Sequence, residues 1–480
     1  MDLRSVSTVC AALLCAASAR AAQAAAPPAA SESPNALARS IFQELIEINT
    51  TDSVGNITTA SEAMAKRFRA AGFTDADMAI LGPNARKKNL VVRLRGTGER
   101  KPVLLIGHLD VVEARREDWT TDPFKFVEKD GYFYGRGTQD MKDGDAIMVT
   151  TLIRLKKEGF KPNRDIILAL TADEEGGSSN GVDWLLKNHR DLVDAEFVLN
   201  HDGSSIVTEH GKPLYYELDG TEKVYGDYQL TVTNPGGHSS LPVPDNAIYA
   251  LAAGLGRVEK FEFPFELNTV TRGYYEQMAT IETGQRAADM RAILRNPPDQ
   301  AAIARLSHDA IDHSIMHTTC VATRLEGGHA NNALPQRATA VVNCRILPGH
   351  SPEEVRQVLI KVLADPRITI RYIDDNGQVH DKASDRKGYP PPPLSPEIMK
   401  PLETLVAADW PGLKVVPNMS AGASDGVYTS AAGLPTYTIT GVAIDKDNER
   451  AHGRDERLGV DSFYKGNEFF YQYIRAISSK

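Results

Sequence analysis

Short runs of apolar residues alternate along the chain with stretches that have the period of an amphipathic helix. Four of these runs are long enough to form strands, and three of them (VLLIG, DIILALTA and FVLN) are typical of strands buried in a parallel sheet. Helical patterns separate them, among them residues 144–158 and the segment GVDWLLKNH. Because strands that alternate with helices build parallel sheets, the pattern predicts an α/β fold with a mostly parallel sheet. The four runs are NLVVRLRG, VLLIG, DIILALTA and FVLN.

The pattern changes after about residue 216. The segments GKPLYYELDG and YQLTVTN alternate apolar and polar residues, as antiparallel strands do. A helix, extra helical sequence at residues 271–310, two strand patterns, another helix and a final strand follow in a βαββαβ-like order. The proline-rich segment KGYPPPPLSP then marks the return to the first part of the fold.

These changes predict two domains, as the length of 480 residues also suggests. The first domain is discontinuous and comprises residues 35–215 and 382–480. The second is an inserted α+β (ferredoxin-like) domain at residues 216–381.

The N-terminal segment has the composition of a secretory signal. Arg4 precedes the apolar stretch VSTVCAALLCAAS, and small residues suited to cleavage follow. We therefore expect residues 1–26 to be a signal peptide and the mature protein to be secreted or periplasmic. No other apolar run is long enough to span a membrane, so no membrane partner is expected.

The overall charge gives no reason to expect nucleic-acid binding, because the formal net charge is −9 and no basic run is present. Cys320 and Cys344 are the cysteines that remain after removal of the signal, and they flank a predicted hairpin. A disulfide between them and a pair of buried free thiols both fit the sequence. Their spacing does not indicate a metal site.

Five motifs that contain acids and histidines follow one another along the chain, and several come directly after a predicted strand. Open α/β sheets place their sites at the carboxyl ends of parallel strands, so these side chains are expected to meet. Two histidines with three or four carboxylates suit a centre with two zinc ions that share a bridging carboxylate. The motifs are GHLD (His108, Asp110), GRGTQDMKDG (Asp140), DEEGG (Glu174, Glu175), NHDG (Asp202) and AHGRDE (His452).

Each motif taken alone also has a simpler interpretation. His108 and Asp110 point the same way on an extended segment, which suits a carboxylate that orients a metal-bound imidazole, or a solvent-facing pair. Asp140 follows a glycine-rich turn and suits a bridging ligand, but it also fits the N-cap of the next helix. Glu174 and Glu175 suit a general base beside a metal ligand, or two solvated acids in the first turn of a helix.

The remaining candidates are also ambiguous when taken singly. Asp202 suits a ligand, whereas His201 beside it points the other way and is interpreted as structural. His238, in GGHSS, is a candidate donor to an oxyanion. Asn332 and Arg345 stand on or beside the predicted hairpin, and Arg345 suits either recognition of a carboxylate or a surface position on a strand.

In this order, the motifs resemble those of the di-zinc exopeptidase and amidohydrolase family that contains aminoacylase, glutamate carboxypeptidase, succinyl-diaminopimelate desuccinylase, carnosine dipeptidase and Gly-Xaa carboxypeptidase (clan MH). The resemblance covers nearly all of the chain from about residue 36. It implies a zinc-hydrolase domain with an inserted lid or dimerisation domain. It also implies two zinc ions, for which cobalt or manganese could substitute.

The resemblance assigns the metal ligands residue by residue. His108 and Asp202 would bind one zinc, and Glu175 and His452 the other. Asp140 would bridge both, and the peptide bond between Asp140 and Met141 is expected to be cis.

The resemblance also implies roles around the metals. Glu174 would be the general base, and Asp110 would be the acid beside the histidine ligand. His238 would stabilise the oxyanion, in many members from the partner subunit of a dimer. The remaining matches would lie at the substrate. Asn332 and Arg345 would recognise its carboxylate, and Gly422 and Ala423, in AGASDG, would belong to a loop near it.

The expected function is hydrolysis of an amide bond next to a free carboxylate, in short peptides or N-acyl amino acids. Alternatives within the class are an N-acyl-amino-acid deacylase and an aminotripeptidase, and Arg345 disfavours the second. The alternative outside it is a catalytically inactive binding protein of the same fold. A homodimer through the inserted domain is expected in many members, but the long insertion at residues 271–310 departs from the family pattern.

Overall fold

The computed structural model describes residues 33–203, 205–374, 377–385 and 387–479. The predicted signal peptide at residues 1–26 lies outside this part of the chain. Among the helices described, none is long and apolar enough to cross a membrane.

The helices are α1 Pro34–Glu47, α2 Ile57–Ala70, α3 Lys142–Lys157, α4 Gly181–Asn188, α5 Arg190–Val193, α6 Ala247–Glu259, α7 Thr269–Ile281, α8 Gly284–Ile293, α9 Gln300–Leu306, α10 Ala310–Met316, α11 Pro352–Leu363, α12 Pro396–Asp409, α13 Gly426–Ala431 and α14 Val460–Ser478.

The strands are β1 Met78–Leu81, β2 Asn89–Leu94, β3 Val103–His108, β4 Val127–Lys129, β5 Tyr132–Tyr134, β6 Ile166–Thr171, β7 Phe197–Asn200, β8 Ile206–Glu209, β9 Lys212–Glu222, β10 Val224–Thr233, β11 Gly237–His238, β12 Thr319–Gly327, β13 Ala333–Leu334, β14 Arg337–Ile346, β15 Thr369–Ile373, β16 Val379–His380, β17 Val415–Ser420, β18 Thr436–Thr438, β19 Ala443–Asp445 and β20 Arg457–Gly459.

A large sheet forms the centre of the fold, with the strand order β1-β2-β6-β3-β7-β18-β9-β8-β19 and with β17 paired to β9. β3 lies between β6 and β7, parallel to both. Its alternate residues enter two different clusters: Leu105 packs with α1, α3 and α14, and Leu104 packs with α4 and α5. Helices therefore cover both faces, and the predicted α/β fold with a mostly parallel sheet is confirmed.

A second, antiparallel sheet has the order β12-β14-β10-β15-β16. Along the chain its elements run β10, α6, β12, β14, α11, β15, which is the predicted βαββαβ order. The even-numbered residues of β10 and β14, such as Tyr228 and Val342, pack against α6 and α11. The odd-numbered residues of both strands are left on the opposite face.

The chain passes from the first sheet to the second at Lys223, between β9 and β10. The predicted domain boundary at residue 216 falls inside β9, which pairs in parallel with β17 of the large sheet. Helices α7 to α10, the extra helical sequence, pack on β9 and β17 through a cluster that contains Tyr275, Met290 and Val416. The domain boundaries themselves stay predictions.

Cys320 and Cys344 stand directly opposite each other on β12 and β14. They form a disulfide that links positions 24 residues apart. Of the two states that fit the sequence, the structure has the disulfide.

Candidate metal centre and substrate cavity

Three neighbouring parallel strands deliver most of the predicted ligands to one edge of the large sheet. His108 is the last residue of β3, Glu174 and Glu175 follow β6, and Asp202 follows β7. Asp140 precedes α3, and His452 lies in the loop before β20. The carboxyl ends of the strands thus form the expected site.

The side chains form two clusters that share Asp140. One contains His108, Asp140 and Asp202, and the other contains Asp140, Glu175 and His452, with the ligand atoms of each cluster within 4.8 Å of one another. His108 Nε2 lies 3.1 Å from one carboxylate oxygen of Asp140. His452 Nε2 lies 2.9 Å from the other oxygen of Asp140 and 2.9 Å from Glu175. Asp140 therefore has the position of a bridging carboxylate.

Glu174 stands beside the shared cluster, with a carboxylate oxygen 4.0 Å from His108 Nε2. Burial, with the charges of Asp202 and Glu175 nearby, raises the pKa of Glu174 to about 10. Burial also raises the pKa of Asp202 to about 7. Hydrogen bonds to Asp140 and Glu175 raise the pKa of His452 to about 10. Positive charge placed among these acids would favour their ionised forms.

The tautomer of His108 also suits a metal. Its Nδ1 donates to the backbone carbonyl of Asp110 over 3.1 Å. Its Nε2 is buried and makes no hydrogen bond of acceptable angle within the described part of the chain. When the ring is neutral, this tautomer leaves the Nε2 lone pair facing the carboxylate cluster. The two clusters together contain two imidazoles and three carboxylates, and they share the carboxylate of Asp140. This set of ligands fits two divalent cations such as zinc.

The carboxylate of Asp110 was expected to orient the imidazole of His108, but it does not contact that ring by a hydrogen bond. It lies 3.8 Å from Nδ1 of His108, beyond hydrogen-bond distance. Its two oxygens instead accept from the backbone N–H groups of Glu174, over 3.2 Å, and Glu175, over 2.9 Å. Asp110 therefore orients the imidazole through its carbonyl and fixes the glutamate pair through its side chain.

Glu456 holds the turn that carries Asp140, and sequence reasoning did not assign it. One of its oxygens accepts from the backbone N–H of Gln139 at 2.7 Å and of Asp140 at 3.2 Å. The other accepts from Gly137 at 3.1 Å and from Arg136 at 2.6 Å. The sequence offered an indication of this role, because Glu456 is the last residue of the motif AHGRDE, which also contains His452.

The turn itself has two backbone features. Gly137 has φ 90°, where a side chain is strained and where a Cβ would also meet Val111 at 2.9 Å. The Asp140–Met141 peptide bond is cis, which confirms the prediction. Asp140 is not an N-cap, because α3 begins at Lys142 after Met141.

The clusters open into a cavity of about 1360 Å³ between the two sheets. Arg345 of β14 lines this cavity, as do Gly422 and Ala423 in the loop after β17. Among the described residues, no carboxylate forms an ion pair with Arg345, whose guanidinium carbon lies 4.8 Å from the centroid of the Tyr225 ring. The loop with Gly422 is held by Glu222, which accepts from the backbone N–H of Ser424 at 2.7 Å and from its hydroxyl at 2.9 Å.

A model of the peptidase family M20/M25/M40 matches residues 104–476. The chain belongs to this family. It is therefore a hydrolase of the M20 metallopeptidase type, and the predicted resemblance is confirmed.

Two relatives and one solved structure are similar to this chain. The N-fatty-acyl-amino acid synthase/hydrolase PM20D1 of Xenopus tropicalis is 28% identical over 386 residues, which cover 78% of this chain and 72% of the relative. The "Probable carboxypeptidase S-like 2" of Dictyostelium discoideum is 27% identical over 487 residues, covering 92% and 90%. The M20 metallo-carboxypeptidase Sso-CP2 of Sulfolobus solfataricus has the same fold, with a TM-score of 0.68 at 17% identity over 92% of this chain and 99% of its own.

His238 and Asn332 are predicted site residues that neither the metal clusters nor the cavity lining in the described part of this M20 chain includes. His238 lies on β11 and Asn332 directly precedes β13, and Ser239 N donates to the carbonyl of Asn332 over 3.0 Å. His238 is exposed, and its Nδ1 lies 2.7 Å from the hydroxyl of Ser240. Neither residue is among the described residues that line the cavity. One chain thus brings together all other predicted site residues but not these two.

His201 is buried and packs edge-on against Phe470, with ring centroids 4.7 Å apart. Burial lowers its pKa to about 4, so the ring is neutral. It belongs to neither metal cluster, in agreement with its interpretation as structural.

Two further polar groups position the site and had weak or no sequence signals. Asp425, in the quoted AGASDG, is buried and accepts from Asn180 at 2.6 Å and from Thr171 at 3.2 Å. Lys87 is buried between Asp52, at 2.8 Å, and Asp173 beside the glutamate pair. Nothing in the sequence around Lys87 indicates this contact, because its partners are distant along the chain.

Proposed function

We propose that this protein uses two zinc ions to hydrolyse an amide bond next to a free carboxylate, in short peptides or N-acyl amino acids. One observation carries the proposal. The two clusters that share Asp140 open into the same cavity as Arg345, a cation that has no described carboxylate partner. A hydrolytic centre and an anion-binding group thus face one substrate space.

The ligand set would be that of the two clusters. His108 and Asp202 would hold one cation, Glu175 and His452 would hold the other, and Asp140 would be shared between them. Zinc suits these nitrogen and oxygen ligands, and cobalt or manganese could replace it. Such a pair supplies a Lewis acid for the amide carbonyl and lowers the pKa of water.

Glu174 is the general base. It stands beside the ligands without being needed in either cluster, and Asp110 fixes its backbone. Its carboxylate takes a proton from the attacking water and passes it to the leaving nitrogen. The raised pKa of this buried carboxyl, before cations are bound, suits a group that must hold that proton for part of the cycle.

Arg345 binds the substrate carboxylate, and the loop with Gly422 and Ala423 contacts the chain beside it. A guanidinium is the side chain best matched to a carboxylate. The relatives support this substrate class, since one is named for N-fatty-acyl amino acids and another as carboxypeptidase S-like. An N-acyl amino acid and the substrate of a carboxypeptidase both carry a free carboxylate next to the amide bond.

A second copy of the chain supplies His238 and Asn332. Within one chain these residues are exposed at the ribbon of β11 and β13, and neither lines the described cavity. A homodimer through the antiparallel sheet would bring them to the partner's cavity, where His238 stabilises the oxyanion and Asn332 contacts the carboxylate.

Export of the protein is also proposed, with residues 1–26 as the signal and a secreted or periplasmic location. The disulfide between Cys320 and Cys344 supports an oxidising compartment.

A substrate panel tests the function. The zinc-loaded protein is assayed against dipeptides and N-acyl amino acids, each with a free and with an amidated carboxylate. We expect hydrolysis of free acids and a second-order rate constant at least tenfold lower for amides, because the charge-assisted contact to Arg345 is lost. Equal rates for the two series would refute carboxylate recognition, and no hydrolysis of any member would refute the proposed activity.

A further inference from the structure

The outer face of the antiparallel sheet carries two polar cross-strand pairs next to the cavity. Tyr225 on β10 stands opposite Arg345 on β14, and Asp227 stands opposite Asn343. All four are odd-numbered and so lie on the face away from α6 and α11. On an antiparallel pair, directly opposite and diagonal side chains are within reach of each other.

Arg345 rests on the ring of Tyr225. Its guanidinium carbon lies 4.8 Å from the ring centroid, within the range of a cation–π contact. The hydroxyl of Tyr225 donates to one carboxylate oxygen of Asp227 over 2.6 Å. The amide of Asn343 donates to the other oxygen over 2.8 Å. Both oxygens of Asp227 are therefore occupied by neutral donors.

These contacts keep Asp227 from forming an ion pair with Arg345. Asp227 is the diagonal neighbour of Arg345, and a long arginine side chain can reach across that diagonal. An ion pair between them would compete with any anionic ligand of Arg345. The structure contains no such pair within its described residues, and the hydroxyl of Tyr225 lies on the carboxylate instead.

The hydroxyl is a stable donor. Burial, together with the hydrogen bond and negative charge of Asp227, raises the pKa of Tyr225 to about 12. Burial and the nearby charge of Arg345 lower the pKa of Lys223 to about 7. Its amine donates to the carbonyl of His317 over 2.7 Å and to Thr319 over 3.3 Å. Neither contact of Lys223 brings a carboxylate toward Arg345.

We propose that Tyr225 and Asp227 are positioning residues that keep Arg345 free and oriented for the substrate carboxylate. The ring of Tyr225 supports the guanidinium, and its hydroxyl occupies the carboxylate of Asp227, which would otherwise pair with Arg345. This inference rests on the proposed role of Arg345 and adds the residues that determine its availability.

The test compares Tyr225→Phe with the double variant Tyr225→Phe/Asp227→Asn. Tyr225→Phe keeps the ring but releases Asp227 to pair with Arg345. We expect KM for free-acid substrates to rise about three- to fivefold, because the partly exposed carboxylate of Asp227 then competes with the substrate carboxylate for Arg345. The kcat should stay unchanged. The double variant removes the competing charge and should return KM to within about twofold of the wild type.

Tyr471→Phe is the matched control. Tyr471 on α14 also donates to a carboxylate, that of Glu158, and carries Arg154 3.5 Å from its ring centroid, but it lies in the helical layer away from the cavity. Its loss should leave KM unchanged. Melting temperatures of all variants are measured, so that a general loss of stability is separated from a change in KM.

The outcomes separate this inference from the proposed function. If the wild type shows no preference for free acids, or Arg345→Ala leaves that preference intact, the proposed function is wrong. If the preference is present and depends on Arg345, but Tyr225→Phe has the KM of the wild type, the inference alone is wrong. A raised KM that Asp227→Asn does not restore in the double variant would also overturn it, because competition by Asp227 would not be the cause.

Discussion

Buried carboxylates that bind no metal in the proposed scheme do much of the positioning in this site. Asp110 holds the backbone of Glu174 and Glu175, and Glu456 holds the backbone of the turn with Asp140. A bridging ligand must be fixed closely, because it contacts both cations at once. The positions of Asp140, Glu174 and Glu175 therefore depend on hydrogen bonds from their main-chain N–H groups to these carboxylates.

Replacing Glu456 tests this dependence. Glu456→Gln keeps the size but loses the charge opposite Arg136 and places an amide donor against backbone donors. We expect zinc affinity to fall about 10- to 100-fold while the fold is retained. Competition with a chelator measures the affinity, and circular dichroism checks the fold. Unchanged affinity would show that the turn keeps its shape without Glu456.

Glu174 separates catalysis from metal binding. Glu174→Gln should keep the full metal content, because the two clusters do not include it. Its activity should fall by about three orders of magnitude or more, because the proton acceptor is lost. The exposed Glu276→Gln on α7 serves as the control. Activity within about tenfold of the wild type would assign the base to another residue.

At the scale of elements, Glu353 joins three parts of the inserted sheet. It lies in the first turn of α11, forms a two-armed contact with Arg356 at 2.8 Å for each arm, and accepts from the backbone N–H of Ala383 at 2.8 Å. Arg356 in turn donates to the carbonyl of Ile370 on β15. Helix, strand and the return segment are thus tied by one charge pair.

The hydrogen bond from Arg356 lowers the pKa of Glu353 from 4.5 to about 2. Since the folded-state pKa lies below the unfolded value, this stabilisation is present above about pH 4.5 and is lost as the pH falls toward 2. Glu353→Gln should therefore lose about 1–2 kcal/mol at pH 7 and much less near pH 3. Urea unfolding at both pH values measures this, with exposed Glu259→Gln as control. An equal loss at both values would contradict the charge-based account.

The elements that the sequence predicts well are those whose pattern is local. The strands around Leu105 and Leu168 are buried on both faces of the sheet. Their residues are therefore apolar without interruption, and such a run can be recognised in the sequence as a strand. The site residues at the ends of these strands follow from the same logic. Cross-strand register is not local, so the pair of Tyr225 with Arg345 could not be predicted. The same holds for Glu456, whose partners lie more than 300 residues away.

At the scale of the whole molecule, one chain leaves its own site incomplete under the proposed mechanism. His238 is exposed on the ribbon of β11 and β13. The sheet also ends in an open edge, β12, where Val321 and Leu325 are 60% and 67% exposed. Exposed apolar residues on an edge strand favour association with a second sheet.

Complementation tests the shared site. Glu174→Gln and His238→Ala should each be nearly inactive alone. If His238 acts on the partner's cavity, mixed dimers restore one complete site, and an equal mixture should recover about a quarter of wild-type activity. Light scattering on the same samples gives the oligomeric state. A monomer with full activity, or no recovery in a proven mixed dimer, would contradict the shared site.

The central claim is that the two clusters around Asp140 bind a pair of metal ions that the reaction needs. Metal-free protein is titrated with zinc while bound metal and hydrolysis of a free-acid dipeptide are measured together. We predict about two zinc ions per chain, with activity rising mainly with the second, and about one or fewer in Asp140→Asn, where the shared ligand is weakened. A folded protein that binds no zinc, or one that reaches full activity with a single ion, would contradict the account.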